Sequence, residues 1–124
     1  MAIKKVIIKV TTAGSSGSST GTGSEPVPLG LLHSMYFDFH ASAPGTTDTE
    51  VSAPGDPAAT TLMTLTNGNT DGWFFPGSQM DDASAAAITG AYISPIIHGN
   101  VLQIALSQCD ALTDALIAYC FIEV

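Results

Sequence analysis

The chain is 124 residues long, enough for one domain whose core needs neither a disulfide framework nor a metal. Charged residues make up only 11% of it, with three lysines and no arginine against eleven acids, for a formal charge of −8. That balance repels phosphate backbones and anionic bilayers, so neither nucleic acid nor membrane is an expected partner. Serine, threonine, glycine, alanine and proline take the place of the missing charges, and such a surface suits lasting contact with another protein.

Residues 3–12 alternate as a strand with one wet face: Val6, Ile8 and Val10 point one way, Lys5, Ile7 and Lys9 the other. Lys4, Lys5 and Lys9 interrupt the apolar run, which leaves no segment of signal-peptide length, and the expectation is a soluble protein made in the cytoplasm. Residues 13–25 are almost entirely Gly, Ser and Thr. With no side chains to bury, they read as a flexible arm or loop that a partner would order.

After the breaker Glu25-Pro26-Val27-Pro28, residues 31–41 form the clearest long strand. Strict alternation places Leu31, His33, Met35, Phe37 and Phe39 on one face and Ser34, Tyr36, Asp38 and His40 on the other. A turn cluster at 43–48, a short strand at 49–53 and the turn Pro54-Gly55-Asp56-Pro57 follow. The stretch 62–76, LMTLTNGNTDGWFFP, holds the only Trp. Its hexapeptide Asn67-Gly68-Asn69-Thr70-Asp71-Gly72 reads as a connection between two strands, with Trp73 and Phe75 on one face and Phe74 on the other.

Residues 80–87, MDDASAAA, read as a helical turn or a connection, and 88–97 as an irregular edge strand because of Pro95. His98-Gly99-Asn100 is a hairpin turn, 101–106 a strand with Leu102, Ile104 and Leu106 inward, 109–115 a helical turn, and 116–124 a closing apolar strand. The predicted fold is all-β: a single-domain antiparallel β-sandwich or small barrel of about seven or eight strands, spanning 1–124.

Chemistry is nearly absent. Asn67, Asn69, Asp71 and Gly72 match the first half of a calcium-binding loop, but the twelfth position is Ser78 where a bidentate Glu belongs, so a polar turn is the reading. Asp38 and His40 share a strand face, yet His33 points away from them and His98 is unplaced, so an ordinary surface contact is the reading there. No serine stands in a Gly-x-Ser-x-Gly elbow, the Gly-rich stretch lacks the lysine of a phosphate loop, and Asp81 and Asp82 are adjacent and point apart. The expectation is no enzyme and no cofactor or metal. Cys109 and Cys120 read as reduced thiols, Cys120 as a small core residue. The exposed lysines and the aromatic set Tyr36, Trp73, Phe74, Phe75 and Tyr92 are the remaining features. One aromatic face can serve protein or sugar rings, or be covered by a neighbouring subunit.

Tyr36-Phe37-Asp38-Phe39-His40, the turn at 44–49, residues 66–76 with Asn69-Thr70-Asp71-Gly72-Trp73 and Pro76, and the closing run 102–124 together resemble a family of small proteins encoded near the major capsid protein of tailed bacteriophages. The resemblance implies a virion component, a head decoration or cement protein. Such a protein is an all-β module, a homotrimer, held on the outer surface of the shell by the major capsid protein. The chain departs from that family at Phe74-Phe75, Gly77 and 93–98. Expected contact residues are Lys4, Lys5, Lys9, Tyr36, Trp73 and Phe75, the lysines meeting acidic capsid groups. The alternative is a carbohydrate-binding or host-attachment module using Trp73.

Overall fold

The structure, a computed structural model, describes residues 2–55, 58–97 and 101–124. Eleven strands are found among the described residues, and no helix. They are β1 (Ile3–Val10), β2 (Ser19–Pro26), β3 (Gly30–Phe39), β4 (Asp48–Ala53), β5 (Thr60–Leu65), β6 (Gly72–Phe74), β7 (Ser78–Asp81), β8 (Ala87–Ile93), β9 (Ile96–Ile97), β10 (Val101–Cys109) and β11 (Leu116–Glu123). One sheet runs β1-β11-β3-β6, with β9 also on β3; a second runs β2-β10-β4-β5; β7 and β8 form a separate hairpin. All pairings are antiparallel. The expected all-β antiparallel sandwich is therefore what forms, with more strands than the sequence signals because four of them are short or lack side-chain periodicity.

One core joins the two main sheets. Ile8, Val10, Leu32, Met35, Phe37, Leu116, Ala118, Cys120 and Ile122 of the first meet Val51, Ala53, Leu102, Ile104 and Leu106 of the second. The alternation expected for β1, β10 and β11 is seen in their burial. Cys109 and Cys120 are buried and free, one in each sheet. Burial without polar partners pushes the Cys120 thiol up to about 12.

Five expectations are corrected or narrowed. The Gly/Ser arm over 13–25 is a loop only as far as Ser18; from Ser19 to Pro26 it is a strand paired along β10. Its side chains offer no burial signal, so the pairing rests on backbone. Asp110 ties down the loop itself, its Oδ1 accepting from the Gly17 N–H (2.8 Å) and the Ser16 hydroxyl (3.1 Å). After the bridge between Ala13 and Thr20, β1 and β2 part into different sheets, and the sandwich curls closed at that corner. The approach there is very close: a Cβ on Gly21 would lie 2.2 Å from the Thr11 carbonyl oxygen, and one on Gly23 2.4 Å from that of Lys9.

The face assignment in β3 also changes. Ser34 opposes Phe121 while Leu32 opposes Ile122, so His33 is the extra residue of a β-bulge. The alternation slips there, and Leu32 enters the core in place of Leu31, with His33 exposed.

Residues 67–71 do connect two strands, but β5 and β6 lie in different sheets, so the connection is a crossover. Side-chain and backbone groups tie it to the end of β3 and to the neighbouring crossover at 40–47. Asp71 Oδ1 accepts from the Phe39 N–H (2.7 Å), Asn69 Nδ2 donates to the Ala43 carbonyl (2.8 Å), and the Gly68 N–H donates to the Thr47 carbonyl (2.9 Å).

Of the two readings of residues 80–87, the connection holds and the helical turn does not. Asp82 Oδ1 accepts from the Ser84 and Ala86 N–H groups, Ala85 takes a positive φ of 61°, and a tight turn closes the β7–β8 hairpin. Residues 110–115 are likewise a loop, pinned by Thr12, whose hydroxyl donates to the Asp110 carbonyl and accepts from the Leu112 N–H. The expected turn at His98-Gly99-Asn100 and half of that at 54–57 lie outside the described residues.

Candidate interaction face

The outward side of the first sheet is where the sequence-derived contact residues gather. Register places Ile7, Tyr119, Tyr36 and Trp73 in one row across β1, β11, β3 and β6. The row on one side of it is Lys9, Ile117 and Asp38; the row on the other is Lys5, Phe121 and Ser34. Lys5, Lys9, Tyr36 and Trp73 thus share one face, and Phe75, two residues beyond Trp73, stacks beside it. Lys4 has the opposite parity and is exposed at the end of β1. Tyr92 stands apart from this set, on the β7–β8 hairpin.

The rings pack on one another. Trp73 meets Tyr36 edge-on at 5.2 Å between centroids, Phe121 at 5.7 Å, and Phe75 at 6.5 Å with planes only 22° apart. Tyr36 continues the run to Tyr119 at 6.5 Å. Phe74 points the other way, against Phe37 in the core, as alternation requires. Trp73 is still 54% exposed and Phe75 70%. These are the side chains that most often anchor protein contacts, and folding leaves them wet.

Beneath them lies an open pocket of about 370 Å³ lined by Ile3, His33, Ser34, Trp73, Phe75 and Phe121. Ser34 is its buried floor at 4% exposure, and its hydroxyl is already paired with His33 Nδ1 at 2.9 Å. What the pocket presents is therefore almost wholly apolar. Phe121, Tyr119 and Ile3 were not singled out from sequence; alternation along 116–123, with Cys120 and Ile122 inward, would have placed Tyr119 and Phe121 outside.

The other candidates are drawn elsewhere. Asp71 and Asn69 spend their side chains on backbone groups, and His40 Nδ1 accepts from the Ser42 N–H. His98 lies outside the described residues. Among the described residues, no three His, Cys, Asp or Glu side chains are grouped to hold a metal ion. No family model, curated protein or solved structure matches the chain. The fold and this face define a β-sandwich whose first sheet presents an aromatic, lysine-edged outer face.

Proposed function

We propose that this protein is a virion structural component, a decoration or cement protein that stabilises a tailed-phage head by bridging neighbouring major capsid protein subunits on the outer surface. The observation that carries the reading is the joining of Lys5 and Lys9 with Tyr36, Trp73 and Phe75 on one broad sheet face. A broad, exposed aromatic face of this kind suits protein contact, and symmetry repeats each modest contact many times over the shell, so that avidity replaces individual affinity. The acidic balance of the rest of the chain keeps it apart from packaged DNA. Heads assembled without the chain should lose their DNA at lower temperature, and added protein should bind them at about one copy per capsid subunit and restore stability. Virions that contain none of the chain would refute the reading.

A second reading, a carbohydrate-binding module, draws on the near-parallel, exposed rings of Trp73 and Phe75. It is the weaker one because a sugar also needs polar groups to read its hydroxyls, and the Ser34 hydroxyl beneath these rings is already paired. Saturable quenching of Trp73 fluorescence by a glycan would favour it over the capsid reading.

A further inference from the structure

We propose that the apolar pocket on the first sheet is a docking site for the β7–β8 hairpin of a second copy of this chain. Among the described residues, the hairpin is the one strand pair that belongs to neither main sheet. A two-stranded hairpin is at best marginally stable in water. Yet this one exposes Met80, Ile88, Tyr92 and Ile93, with Tyr92 63% exposed. Register puts Tyr92 opposite Gln79 and Ile93 opposite Ser78, so the apolar side chains occupy both faces, and neither is covered within the chain.

Charge and length both fit the pocket. The hairpin is apolar at its root and carries Asp81 and Asp82 at its turn; the sheet face is aromatic at β6 and carries Lys5 and Lys9 at β1. A hairpin laid across the strands with its root over Trp73 and Phe75 brings its acids over those lysines. The four residue steps from Ser78 to Asp82 span ~13 Å, and the three strand spacings from β6 to β1 span ~14 Å. The hairpin's root, with Ser78, Ile93 and Pro95, shares only an open cleft with Thr60 and Leu62 of β5, so its apolar side chains stay exposed, and cross-linking distinguishes the chain's own hairpin from that of a second copy. This inference concerns the free protein, whose exposed face is the one the capsid reading uses, so the two occupants exclude each other; self-association is measured on the isolated chain and capsid binding on heads, which keeps the two outcomes distinguishable. Lys4 and the polar second sheet remain free for other partners.

The test is self-association of the purified chain by light scattering, combined with cysteine cross-linking. The expected result is an oligomer that Trp73→Ser in the pocket and Tyr92→Ser on the hairpin each weaken by about 30-fold or more, as for other interface anchors. Asp81→Lys, which leaves the Asp82 turn bonds intact, should weaken it too, and Lys5→Glu with Lys9→Glu should restore it. Tyr92→Ser and the charge reversals lie outside the core, so unchanged circular dichroism separates lost docking from lost folding. One population carrying Phe75→Cys mixed with another carrying Tyr92→Cys should form a disulfide between chains, since both native thiols are buried. A monomeric wild type, an oligomer indifferent to these substitutions, or a cross-link formed only within a chain carrying both cysteines would overturn the proposal; the last would assign the pocket to the chain's own hairpin.

Discussion

Replacing Gly23 by alanine tests the curled corner of the sandwich directly. Gly23 is not in a positive-φ conformation, so alanine is conformationally acceptable, and in an ordinary strand or a flexible arm the change would be neutral or stabilising by about 0.5–1 kcal/mol. The structure reverses that sign. The new methyl would sit 2.4 Å from the Lys9 carbonyl oxygen and 3.1 Å from Ile8 Cγ2. A carbonyl in a paired strand cannot swing aside, so β1 and β2 must separate, and the cost should be about 2–3 kcal/mol, as for overpacked cores. Gly45→Ala is the control, since nothing lies within 4 Å of its added Cβ. Urea denaturation followed by circular dichroism should show a lowered midpoint with an unchanged slope for Gly23→Ala and no loss for Gly45→Ala. A Gly23→Ala protein as stable as wild type would mean that residues 19–26 do not pack on β1, and the corner described above would be wrong.

Three further outcomes follow from the same structure. Leu32→Ala should cost about 2–5 kcal/mol and Leu31→Ala under about 1 kcal/mol by denaturation, because the bulge at His33 hands the core position to Leu32. Asp71→Ala should lower stability by about 1 kcal/mol through the lost bond to the Phe39 N–H, with the same thermal midpoint in calcium and in chelator, since that carboxylate is a loop tie. The Cys120 thiol should resist a thiol reagent until the protein unfolds. Because burial raises it from 9.0 to about 12, the unfolded chain releases that proton first; stability should be unaffected below pH 9 and fall by about 1.4 kcal/mol per pH unit between those values. A Cys120→Ala protein should lose that part of the alkaline decline.

Strands whose side chains alternate were legible from sequence, and β1, β10 and β11 fall where the pattern puts them because one face of each is buried. The Gly/Ser strand was not legible, since alternation needs side chains and β2 is held by hydrogen bonds to β10 that belong to its partner. The bulge at His33 was equally hidden: a strand's own sequence does not say which residue its neighbour will skip. Asn67 to Gly72 has the local chemistry of a turn, but whether such a turn joins neighbours or crosses the sandwich depends on distant groups, here Phe39, Ala43 and Thr47. Of the six contact residues named from sequence, five meet on one face because Lys5, Lys9, Tyr36, Trp73 and Phe75 share outward parity, while Lys4 has the opposite one. Their neighbours Phe121 and Tyr119 passed as ordinary apolar residues of a closing strand.

Folding constrains the inward residues of both sheets alike, so their outward residues carry the information about partners. A row across the second sheet reads Thr22, Ala105, Glu50, Thr64; the corresponding row across the first reads Ile7, Tyr119, Tyr36, Trp73. The polar row shows what this sandwich needs for solubility, and the aromatic row therefore represents a cost in exposed apolar area that folding does not require. Contact with a partner removes that cost. Salt separates the two ends of the surface physically, since the field of Lys5 and Lys9 is screened beyond about 8 Å at physiological ionic strength. Burial of Trp73 and Phe75 is strengthened by salts that are excluded from protein surfaces, such as sulfate. Binding through this face should therefore weaken modestly in sodium chloride and recover in ammonium sulfate, whereas a contact resting on the lysines alone would be lost in both.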